Sequence, residues 1–84
     1  DVTSAITEIN ATSATGAISL ADGTDGQVKT FINVSTSGTN NVVITPTNLR
    51  GGTTITLNAE GETVTCLFKN AKWNVIAGNG YAIA

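Results

Sequence analysis

Apolar and polar positions alternate along much of this chain with the period of two that a β-strand imposes on its faces. The alternation is cleanest over residues 53–59, where Thr53, Ile55, Leu57 and Ala59 fall on one side and Thr54, Thr56 and Asn58 on the other. Residues 63–69 repeat it: Val64, Cys66 and Phe68 oppose Thr63, Thr65 and Lys69, with Leu67 interrupting the polar side. Over residues 28–34, Val28, Thr30, Ile32 and Val34 share one face while Phe31 stands opposite with Lys29 and Asn33. Apolar residues on both faces of these last two segments predict strands covered on two sides. Shorter strands are expected over 41–45, stopped by Pro46, which cannot donate to a ladder, and over 72–76, with Trp73 and Val75 on one face.

Turn signals separate these runs. "ADGTDG", "TSGTNN", "LRGG", "AEGE" and "GNG" recur at intervals of roughly 8 to 12 residues, the rhythm of a small sandwich or barrel. "AEGE", between two alternating segments, reads as a hairpin in which Gly61 supplies the positive φ of a tight turn. The expected fold is therefore all-β, a small antiparallel β-sandwich or barrel over residues 16–84. Residues 1–15 differ, because Val2, Ile6 and Ile9 are spaced by small polar residues without a sustained strand or helix stripe. They read as an extended N-terminal arm that could add a strand to a neighbouring chain; a frayed terminus is the alternative.

Composition changes the picture in one direction. An 84-residue domain buries a modest fraction of its surface, and such domains lean on disulfides, metals or oligomerisation. Cys66 is the only cysteine and there is no histidine, so neither a disulfide nor a closed Cys/His zinc site can form within one chain. Charged residues make up 12% of the chain, about half the usual share, and mean hydropathy is +0.15. Little of the surface is protected by charge, and association with neighbours is the remaining source of stability. A net charge of -2 with four scattered Lys/Arg offers nucleic acid no basic stripe, and no apolar run approaches the roughly 18 to 20 residues of a membrane helix.

Candidate chemistry is thin. Asp22 and Asp25 stand three apart, whereas calcium loops of the EF-hand type place ligands at alternate positions and close with a glutamate. Gly26 leads into a β-branched segment, which lacks the helix N-terminus of a phosphate loop. Asx-turn chemistry accounts for both aspartates, with Gly23 and Gly26 at positions of positive φ. Cys66 lies mid-strand on an apolar face with no histidine to activate it. Glu60 and Glu62 flank a turn glycine, where carboxylates are ordinarily solvated. Trp73 and Tyr81 could stack on a sugar, although core packing is the commoner fate of tryptophan. Two glycosylation sequons, at Asn10 and Asn33, are unremarkable in a chain this rich in Ser and Thr. No catalytic residue, cofactor, metal or small-molecule substrate is expected, and the chain does not read as an enzyme.

The "LADGTDGQ-K" turn into a strand, the "TPTNL-GGTTITL" segment, the "GE-V" hairpin and the "K-W-VI" close, spread over most of the chain beyond residue 10, resemble small virion structural proteins and fibre-associated modules of tailed bacteriophages, especially those infecting marine cyanobacteria. That resemblance implies β-strands organised about a threefold axis in a homotrimer, and it carries no catalytic residue. The function it implies is capsid decoration: a cement protein on the capsid surface that binds the major capsid protein. A tail-fibre or receptor-binding module is the alternative. On this reading Val2, Ile6 and Ile9 form the arm that contacts the coat, and Phe31, Ile55, Leu57, Phe68 and Trp73 form the core or the trimer interface.

Overall fold

The computed structural model describes residues 5–11, 16–35 and 41–84. They form eight strands: β1 Ile6–Ile9, β2 Gly16–Leu20, β3 Val28–Asn33, β4 Val42–Pro46, β5 Ile55–Leu57, β6 Thr63–Lys69, β7 Lys72–Asn79 and β8 Ala82–Ile83. No helix occurs among the described residues. Two four-stranded sheets result, in the orders β1-β3-β6-β7 and β2-β4-β5-β8. The architecture is all-β, but both sheets are mixed, because β1 runs parallel to β3 and β2 parallel to β4. This corrects the antiparallel expectation. In each parallel pair the two strands are separated in sequence by one strand of the other sheet, so the chain returns in the direction it left.

The core lies between the sheets. Phe31, Val64, Cys66, Phe68 and Trp73 from one side meet Leu20, Val42, Ile44, Ile55 and Leu57 from the other, and all are buried. Ile9, Ile18 and Val75 pack at its margin. The alternation of residues 53–59 and 63–69 thus corresponds to β5 and β6, each with one buried face. In β3 the parity read from the sequence holds, and its core side is the one carrying Lys29, Phe31 and Asn33. Val28, rather than lying under a covering layer of this chain, is exposed.

The segment "AEGE" is not a hairpin. Gly61 has the expected positive φ, +90°, yet β5 and β6 belong to different sheets. Residues 58–62 cross between them because Asn33 holds the crossover: the Asn33 N–H donates to Glu62 O at 2.9 Å, and Gly61 N–H donates to Asn33 O at 2.8 Å. The Asn33 side-chain amide donates in turn to Leu57 O at 2.9 Å. The tight hairpin joins β6 to β7 instead, at Asn70 and Ala71, whose φ values of +55° and +64° are those of a type I′ turn. β7 runs past the expected end at Ile76 to Asn79, with a bulge opposite Cys66 that leaves Ile76 as the extra residue.

Residues 5–11, expected as part of a free arm, are built into this chain's own sheet. β1 lies along β3 with Ile6 opposite Thr30 and Ile9 opposite Asn33; Thr30 N–H donates to Ala5 O and Val34 N–H to Ile9 O. Ala11 is buried and its N–H donates to Ser35 Oγ at 2.7 Å. Ile9 packs on the core, whereas Ile6 is 62% exposed. Val2 lies outside the described residues.

Two predictions follow from this geometry. Deleting residues 1–11 strips the edge of β3 and uncovers buried Lys29, so the melting temperature should fall by many degrees; a truncated chain melting with the full-length protein would make β1 a mere appendage. Ala71→Gly relieves a left-handed alanine, which costs about 1–2 kcal/mol, against a smaller entropic loss in the unfolded chain. Thermal denaturation should show a rise of a few degrees.

Candidate interaction surfaces

The loop containing "ADGTDG" is a structural turn. Gln27 N–H donates to Thr24 O at 2.8 Å, Thr24 N–H donates to Gln27 Oε1 at 3.0 Å, and Gly26 takes φ +89° while donating to Phe68 O. The two aspartates face different partners. Asp22 accepts from Asn48 Nδ2 through both oxygens, at 3.1 and 2.9 Å, and Asp25 forms an exposed ion pair with Lys69 at 3.7 Å. Among the described residues no three potential metal ligands converge. Gly23, expected at positive φ, is not left-handed. It is small because a Cβ there would clash with Gln27 Oε1 and meet the Trp73 ring at 3.0 Å.

Trp73 is fully buried, so it offers no stacking platform. Its indole N–H donates to Ala21 O at 3.0 Å, and its ring meets Phe68 edge-on at 5.2 Å between centroids and 71° between planes. Cys66 is buried between apolar neighbours, and that burial pushes its thiol pKa from 9.0 up to about 11. A thiol held neutral in this way is inert as a nucleophile at physiological pH. Asn33 of the second sequon is buried, with its Oδ1 accepting from Ser35 N–H at 2.9 Å, which closes it to glycosylation. Thr12 of the first sequon lies outside the described residues.

Lys29 is the residue whose placement sequence reasoning missed. Its ammonium is buried under β1, donates to Thr7 Oγ1 at 2.8 Å and lies 5.2 Å from the centroid of the Phe31 ring. Desolvation lowers its pKa from the ordinary lysine value. Alternation already placed Lys29 beside Phe31; the missing fact was which face pointed inward.

The five residues assigned to core or trimer interface, Phe31, Ile55, Leu57, Phe68 and Trp73, are all buried within the single chain. What the outer faces carry is therefore separate. On the sheet containing β3 and β6, the outward positions Val28, Thr30, Ile32, Thr63, Thr65 and Leu67 hold no charge, while Glu8 of β1 stands exposed opposite Ile32 and Lys69 ends β6 on the same face; Thr30 and Thr65 hydroxyls join at 3.0 Å in its centre. The opposite sheet turns Ala17, Ser19, Val43, Thr45 and Thr56 outward, again without charge. Among the described residues, charges other than Glu8 and the buried Lys29 lie at or beyond the ends of the strands. Arg50, Lys69 and Lys72 lie at the end where the β6-β7 hairpin turns, and Glu60 and Glu62 lie at the other. Exposed Tyr81 stands at the corner between β7 and β8, on the glutamate end.

No protein-family model, curated protein or solved structure matches the chain.

The buried thiol makes a pH prediction. A folded-state pKa raised from 9.0 to about 11 means that Cys66 contributes stability below pH 9 and loses it as pH rises toward 11. The lowered Lys29 acts with opposite sign, its contribution present above 10.5 and lost as pH falls through the folded value. In denaturant titrations, Cys66→Ala should remove a loss of about 2 kcal/mol between pH 9 and 11 relative to the unsubstituted chain. Parallel pH profiles for the two proteins would refute the assignment.

Proposed function

We infer that this chain is a non-enzymatic structural module of a virus particle: a decoration or cement protein, acting as a homotrimer, that binds the major capsid protein on the outer head shell and stabilises it. The observation that carries this reading is the near-absence of charge from the outward positions of the central strands of both sheets, where Lys69 at the end of β6 is the one ionic group. Surfaces designed to face only water carry roughly 25–35% charged residues. Here two broad hydroxyl and aliphatic faces sit on a rigid sandwich, which suits flat, extended contact with neighbouring subunits and suits no reaction. Trimerisation would multiply weak contacts, because once one chain is seated the others bind at high effective concentration.

A fibre or receptor-binding module is the second reading, favoured by exposed Tyr81 at a strand corner, where a host glycan or protein could meet it.

Cryo-electron microscopy of the intact particle tests both. Density for this chain at threefold or quasi-threefold points of the shell is the expected result. Density at a fibre tip would move the function to host recognition, and absence of the chain from purified particles by mass spectrometry would overturn the structural assignment altogether.

A further inference from the structure

β7 is one of four edge strands in the two sheets, the others being β1, β2 and β8. β7 pairs with β6 on one side, and on the other only its first turnward residues are covered: Trp73 N–H donates to Asn48 O, and Arg50 N–H donates to Trp73 O. From Val75 to Asn79 no backbone bond is made on that outer side among the described residues. Residues 76–79 are exposed, Ile76 to 55%. Natural sheets blunt such edges with lysine, proline, a covering loop or a bulge. Along residues 75–79 only the bulge at Ile76 is present among the described residues, and no charged residue follows Lys72 to residue 84.

An uncovered strand edge is satisfied by another extended backbone, and the charges flanking this one say which. Lys72 begins β7, is exposed, and has no ion-pair partner among the described residues. At the far end the Glu62 side chain packs against Gly80, so closely that a Cβ there would lie 2.8 Å from its carboxylate. The edge is thus positive where it starts, neutral along its length and negative where it ends. A second copy laid alongside in the same direction would set Lys72 beside Lys72 and Glu62 beside Glu62. Laid in the opposite direction, it sets each Lys72 against the other copy's Glu62, twice by symmetry.

We propose that the free edge of β7 is a homotypic docking surface, on which the β7 strands of two copies pair antiparallel about a twofold axis centred near Ile76 and Ala77. The contact is isologous, so it closes after two members. It goes beyond the decoration reading and does not depend on it: a monomeric unit would become a dimer, and a trimeric unit would be joined to a second trimer.

The test is native mass by light scattering near 10 µM, with blue-shifted Trp73 emission confirming that each variant is folded. The full chain should contain an even number of copies. Ile76→Lys, which adds a charge at an already exposed position, and Lys72→Glu should each halve that mass and raise the dissociation constant at least tenfold. Lys72→Glu combined with Glu62→Lys should restore it. An odd number of copies, a monomer, or masses unchanged in the folded single variants would overturn the proposal; dissociation that the double exchange fails to reverse would overturn the Lys72–Glu62 pairing that sets its direction. Particle localisation is read separately, so failure of the decoration reading leaves this result standing.

Discussion

Trp73 ties together the elements at one end of this sandwich, and the remaining architecture depends on that anchorage. Its ring fills the core against Phe68, and its indole N–H reaches Ala21 at the mouth of the loop between the sheets. Its backbone bonds the 48–50 segment in both directions. One residue thereby holds three connections from both sheets: the β6-β7 hairpin, the β2-β3 crossover and the β4-β5 connection. Gly23 belongs to the same arrangement, since any side chain there would strike this ring. A small domain with no disulfide and no Cys/His ligand set in its sequence must take its cohesion from such contacts, and a buried tryptophan with its polar atom satisfied supplies both area and direction.

Asn33 performs the matching task at the other end. Its backbone and side chain together bond Glu62, Gly61, Leu57 and Ser35, which redirects the chain from one sheet to the other where a hairpin would have kept it in one. Buried amides are costly unless satisfied, and no buried side-chain polar atom is left without a partner among the described residues. Lys29 follows the same rule, with Thr7 and the face of Phe31 around its ammonium. β1 is therefore a lid on a buried cation as much as an added strand.

The economy of charge runs through the whole surface. Few ionic groups are used, and among the described residues all but Glu8 and the buried Lys29 stand at or beyond strand ends, which leaves the sheet faces nearly free of charge. Such a distribution lowers the desolvation cost of broad contact. It also gives direction to association through the few charges that flank the uncharged regions.

Period-two alternation in β3, β5 and β6 determined that these segments are strands and which residues share a face, because side chains on a pleated backbone have no other arrangement. Composition determined that neither disulfide nor Cys/His zinc centre could hold the chain, and aspartate spacing determined that the "ADGTDG" loop is a turn. Tertiary structure alone decided which face of β3 turned inward, since Lys29 and Asn33 look like surface residues until Thr7 and Leu57 are brought to them. It alone decided that Gly61 turns the chain across the core, because local backbone chemistry permits a turn but does not choose the sheet it leads to. The parallel pairing of β1 with β3 was likewise invisible in the pattern: strand direction depends on the path through the opposite sheet, and alternation is the same read either way.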